Sequence, residues 1–131
     1  MTPLPRLLLG SSATILMVGA FMHTTAFDRV LSAVAASNLE PFFGKSLKAL
    51  WLIDSATLLI LASLFGFGAA RPWAVPRAVI ILLACIPAVT AFFQYFFIGT
   101  FVPAHMLLFA ALAAVFGALG ARKASPDPGR S

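Results

Sequence analysis

The chain has 131 residues, of which 61% are hydrophobic and only 10% are charged. A soluble domain carries about a quarter charged residues, so this chain has too few polar side chains to cover a globule in water. The net charge of +5 comes from basic residues that stand singly at the ends of apolar runs, which favours membrane topology over binding to nucleic acid. The single cysteine, Cys85, excludes an internal disulfide. We therefore predict a small integral membrane protein.

The first apolar run covers residues 7–27 and follows Arg6. A cleaved signal peptide is one interpretation, because small residues at 18–20 resemble a cleavage site. The apolar stretch continues past that point to Phe27, which is long enough to cross a bilayer. This length favours a spanning helix.

The segment that follows, residues 28–47, carries most of the charged side chains found between apolar runs. We predict an outer loop that contains either a continuation of the first helix or a short helix on the membrane surface. Residues 40–44 form an aromatic turn with a proline, and Ser46 is a candidate N-cap for the second helix.

The remaining spans are predicted at residues 48–69, 77–98 and 102–121. Pro87 lies inside the third span and should kink it. The polar tail, 122–131, is predicted to be disordered. The fold class is therefore all-α, with the whole chain forming a single transmembrane domain, an antiparallel four-helix bundle with short loops.

Four spans place both ends of the chain on one side of the membrane, and the basic residues divide unequally between the sides. Six fall on the side of the termini (Arg6, Arg71, Arg77, Arg122, Lys123 and Arg130) and three on the other (Arg29, Lys45 and Lys48). Because loops that stay in the cytoplasm are enriched in Lys and Arg, both termini are predicted to be cytoplasmic. The predicted location is a bacterial inner membrane.

Strongly polar side chains are rare within the spans, and each span contributes one near its outer end. They are His23, Asp54, Gln94 and His105. At about 1.5 Å of rise per residue, all four lie roughly 6–9 Å inside the outer boundary. Small residues on the same helix faces mark the sides that pack together, so these polar groups are expected to point inward. We predict a polar layer at one height.

Asp54 is the residue that most needs a partner, because an ionised carboxylate at this depth costs about 2.5–3.5 kcal/mol on insertion scales. His23, Gln94 and His105 are the available partners. Tyr95 belongs to a dense aromatic cluster that can line a pocket for a lipid, a quinone or another flat apolar ligand. The predicted ligand-binding residues are therefore His23, Asp54, Gln94, Tyr95 and His105, with no metal or cofactor assigned.

Three functional hypotheses remain open. The first is a non-enzymatic accessory subunit or a binder of a lipophilic ligand, whose partners are the lipid bilayer and either other membrane subunits or that ligand. The second is a membrane redox enzyme or a haem- or metal-binding protein that uses His23, Asp54 and His105. The third is an oligomeric, proton-coupled small transporter. Whether the protein is an enzyme is left open.

Overall fold

The computed structural model describes residues 3–121. Within that range it contains five α-helices and no strand: α1 (Pro3–Thr25), α2 (Phe27–Ala35), α3 (Pro41–Ala70), α4 (Arg77–Phe97) and α5 (Val102–Gly120). The described part of the chain has four candidate spans that are long and apolar enough to cross a membrane. They are α1 together with α2, and α3, α4 and α5 each by itself. The all-α four-helix prediction is confirmed. The predicted disordered tail, 122–131, lies outside the described residues.

The outer segment, residues 28–47, was predicted as a loop containing a continuation of the first helix or a short surface helix, and α2 is a separate helix in its first half. The aromatic turn predicted at residues 40–44 is instead helical, because α3 begins at Pro41. Ser46 is inside α3 and does not cap it; Glu40 is the N-cap residue and Pro41 occupies the first helical position. Proline is tolerated there because the first amide groups of a helix have no partner within it.

The helices are joined in antiparallel order, and α1 is the central one. It packs against α3 on one side and α5 on the other, and α4 packs against α5. By contrast, α3 and α4 make few contacts with each other. Pro5 of α1 lies beside Gly120 of α5, so both ends of the described chain are at one end of the bundle. We call this the inner end and the opposite one the outer end.

The packing of α1 against α5 depends on small residues. A Cβ added at Gly117 would lie 2.9 Å from Leu9 Cγ and 3.1 Å from the carbonyl oxygen of Pro5. Nearby, the hydroxyl of Ser12 donates a buried hydrogen bond of 2.7 Å to the carbonyl oxygen of Ala110. Helices in lipid gain from such close approach, since burial of apolar surface drives little association there.

Most other hydroxyls are satisfied within their own helix. Six of them donate to the carbonyl oxygen four residues earlier: those of Thr14, Thr24, Ser32, Thr57, Ser63 and Thr90. These side chains need no partner from another helix and can face lipid at low cost. Pro87 lies on the buried face of α4, which runs through it as one helix.

We expect Gly117→Ala to lower the free energy of unfolding in detergent by about 1–3 kcal/mol, because the new methyl group meets backbone that cannot move aside. The measurement is reversible unfolding followed by circular dichroism. Gly10→Ala is the matched control, because a Cβ at Gly10 meets nothing within 4 Å and the helical change is the same. It should stay within about 1 kcal/mol of the parent. Equal stability of the two variants would contradict the close packing of α1 on α5.

Candidate functional site

A cavity of about 300 Å³ lies in the outer half of the bundle, enclosed by α1, α3, α4 and the start of α5. Its walls are mainly apolar and include Ile15, Leu58, Ile98, Met106 and Leu107. Three polar side chains also line it: His23 from α1, Asp54 from α3 and Gln94 from α4. Three of the four polar residues predicted at one height therefore surround one space.

Helical spacing brings these wall residues to the cavity. On α3, Trp51, Asp54 and Leu58 line it, and Ser55 lies on the same face. These positions differ by three, four and seven residues, which places them on one side of a helix. The contributions of α1 follow the same spacing, with Ile15, Gly19, Met22 and His23 in the wall.

His23 is held by three residues of α3. The indole Nε1 of Trp51 donates a hydrogen bond of 2.7 Å to the carbonyl oxygen of His23, and the two rings stack with centroids 3.9 Å apart. The imidazole Nδ1 lies 2.8 Å from Ser55 Oγ. The imidazole Nε2 lies 3.4 Å from Asp54 Oδ2. The orientation of the ring is therefore set by α3, although the residue belongs to α1.

Which hydrogen bond the Ser55 hydroxyl donates depends on where the proton of the His23 imidazole is. This hydroxyl lies 3.0 Å from the carbonyl oxygen of Trp51 as well as beside His23 Nδ1, and it has one proton to donate. If Ser55 donates to Trp51, then Nδ1 must carry a proton and donate to Ser55. If the imidazole is also neutral, its Nε2 then has no proton to offer Asp54. Protonation of Nε2 is what turns this contact into an ion pair.

Asp54 keeps free capacity to bind a further group. Its contact with His23 is longer than the 2.7–3.2 Å typical of a hydrogen bond to nitrogen. Its side chain remains 36% accessible, compared with 22% for His23, and it lies in the cavity wall. At this depth lipid supplies no hydrogen-bond partner, so the cavity is where such a partner can sit.

Gln94 also lacks a partner. Its Oε1 is the one buried side-chain oxygen or nitrogen without a hydrogen bond among the described residues. Leaving a buried acceptor unsatisfied costs about 1–3 kcal/mol. Gln94 and Asp54 line the same cavity, so two acceptors with unused capacity belong to the walls of one space, on helices that make few contacts with each other.

His105 and Tyr95 are not brought to the cavity, although both were predicted beside it. His105 is exposed, and its Nδ1 lies 2.8 Å from the carbonyl oxygen of Phe101 in its own helix. Tyr95 meets His105 edge to face, with ring centroids 5.4 Å apart. Ala104 is buried, and because successive helical residues point about 100° apart, His105 lies on an exposed face of α5. Tyr95 packs partly against the buried core but does not line the cavity.

The geometry gives little support to a metal site. Within residues 3–121, no three His, Cys, Asp or Glu side chains come close enough to hold a metal ion. His23 and Asp54 are adjacent, but His105, the third ligand proposed from the sequence, does not line their cavity.

The structure adds two residues that sequence analysis did not assign to the site. Trp51 was one of several aromatic residues at the outer end of the spans, and Ser55 had no assigned role. Both hold His23. Their spacing from Asp54 was the available signal, since Trp51 is three residues before it and Ser55 is one residue after it. This spacing assigns them to the site only when the face of α3 that meets α1 is already known.

We expect the fluorescence of Trp51 to depend on the protonation of His23, because a protonated imidazole stacked on an indole quenches its emission. The chain has two tryptophans, so the measurement uses a Trp73→Phe variant in which Trp51 is the only tryptophan left. Emission should fall as the pH is lowered from 8 to 5, the range in which histidine usually titrates. His23→Gln should abolish the change and His105→Gln should preserve it. Persistence of the change in His23→Gln would contradict the stacked arrangement.

Comparisons with protein-family models, with curated proteins and with solved structures found no match to this chain.

Proposed function

We propose that this small membrane protein binds a lipophilic molecule in the outer cavity and holds the polar group of that molecule at His23, Asp54 and Gln94. The observation that carries the proposal is the unpaired Oε1 of Gln94 beside an apolar cavity. If Gln94 served only the packing of the helices, an apolar side chain at this position would make the protein more stable, because an unpaired buried amide is costly.

The size of the cavity supports a small ligand. At about 300 Å³ it has roughly twice the volume of an engineered cavity of about 150 Å³ that binds benzene. It is also at the lower end of the range of about 300–1,000 Å³ found for ligand pockets. Apolar walls with a few polar groups at one end are typical of sites that orient a ligand by its polar group.

The sparse packing between α3 and α4 supports access from the bilayer. Asp54 and Leu58 of α3 line the cavity together with Gln94 of α4, but the two helices pack little against each other. A close approach between these helices lies at the inner end, where Gly68 is beside Ile80. A lipophilic molecule can then reach the cavity between α3 and α4 in the outer half.

The charge distribution supports an orientation in which both termini are cytoplasmic. In that orientation the cavity lies in the leaflet away from the cytoplasm. We extend the proposal to a bacterial inner membrane, as predicted from the sequence. A role as an accessory subunit is compatible with ligand binding and stays a prediction.

The test is photolabelling with 3-azioctanol, an eight-carbon alcohol that carries a diazirine. The purified protein in uncharged detergent is irradiated with the probe, and adducts are located by peptide mass spectrometry. We expect saturable labelling of cavity residues, among them Met22, Asp54 and Met106, that excess octanol prevents.

Gly19→Leu should remove this labelling, because Gly19 lines the cavity and its nearest neighbour, Leu58 Cδ1, is 4.0 Å from an added Cβ. The new side chain therefore fills the cavity without forcing α1 from α3. Gly10→Leu is the control, since Gly10 does not line the cavity. Labelling confined to lipid-facing residues, or unchanged in Gly19→Leu, would reject the proposal.

A further inference from the structure

We infer that the polar group of the ligand is a protonated amine, so that the cavity is a site for a small lipophilic ammonium ion. This inference depends on the proposed function and narrows it to one chemical class. It is argued from the charges that line the cavity, from the capacity of its acceptors and from its aromatic wall.

The wall of the cavity is unfavourable for a negative charge. Within residues 3–121, no lysine or arginine lines it, and the basic residues of the outer segment, Arg29, Lys45 and Lys48, are outside its wall. His23 is the one side chain of the wall that can become cationic, and it lies next to Asp54, which would repel a carboxylate or phosphate. The cavity therefore disfavours ligands with anionic head groups, including fatty acids and phospholipids.

Two residues of the cavity wall carry hydrogen-bond acceptors with unused capacity. Gln94 Oε1 has no partner, and Asp54 has only the long contact with His23. A ligand that satisfies both must supply at least two donors. A simple alcohol has one, whereas a primary ammonium group has three N–H donors and no acceptor that would be left unpaired.

The charge of Asp54 separates an ammonium ion from a neutral molecule with two donors. A carboxylate in the bilayer is costly unless a cation compensates it. His23 is the one titratable cation beside Asp54 in the cavity, and its Nε2 lies 3.4 Å from the carboxylate, outside ordinary hydrogen-bond length. An ammonium ion supplies the missing charge, and hydrogen bonds between charged groups are roughly twice as strong as neutral ones.

The remaining wall suits an organic cation. The rings of Trp51 and Phe101 and the thioethers of Met22 and Met106 line the cavity. Aromatic faces attract ammonium groups within about 6 Å. Because methionine is flexible and polarizable, it adapts to alkyl chains of different shape.

The test compares three competitors that share one chain length and differ in head group: octylamine, octanol and octanoate. Each is titrated against 3-azioctanol labelling of the cavity in uncharged detergent at pH 7. We expect octylammonium to prevent labelling at roughly tenfold lower concentration than octanol, and octanoate to be the weakest, because a charge-assisted bond replaces a neutral one. This comparison needs only the parent protein.

Two variants locate the effect. Asp54→Asn should remove the advantage of octylamine over octanol, so that the two competitors act at similar concentrations. Asp28→Asn is the matched control, because it makes the same substitution on the exposed surface of α2, outside the cavity. It should keep the full advantage, which excludes a general effect of charge on partition into the micelle.

The outcomes separate the two proposals. Absence of saturable labelling in the cavity overturns the proposed function and this inference together. Labelling that octanol and octylamine prevent equally well leaves the lipophilic site in place and overturns the ammonium assignment. Stronger competition by octanoate, or an amine advantage that survives Asp54→Asn, also overturns it.

Discussion

A polar group inside a bilayer has to find its hydrogen-bond partner within the protein, and this constraint accounts for most of what the structure shows. Many hydroxyls in the spans bond to their own helix and impose nothing on its neighbours. The polar side chains that bond between helices all involve α1: Ser12 reaches α5, and His23 is held by α3. The polar contacts therefore mark α1 as the helix around which the others are arranged.

The close approach of α1 to α5 and its bonds to α3 leave α3 and α4 with little contact. A bundle of four helices packed equally on all sides would close its interior with side chains. Here the outer half retains a cavity whose wall includes both α3 and α4, which pack little against each other. Asp54 and Gln94 lie on these two helices, and each lacks a full set of partners for the same reason.

The predicted polar layer shows which side-chain positions residue spacing can predict and which it cannot. Counting residues from the ends of apolar runs placed His23, Asp54 and Gln94 at one height, and the structure brings them to one cavity. The same count included His105, which points elsewhere and bonds to its own helix. Height follows from the rise per residue, whereas direction depends on which face of each helix meets which neighbour. The direction of a side chain cannot be read from the sequence of a helix that is apolar on nearly every side.

By itself, the sequence determined that the chain belongs in a membrane and that it folds into four antiparallel helices long enough to span one. These features follow from run length and composition, which act locally. The tertiary structure alone decided that Trp51 and Ser55 orient His23 and that Gln94 Oε1 remains unpaired. Each of these depends on contacts between segments far apart in the chain, and an almost uniformly apolar sequence does not specify such contacts by its pattern.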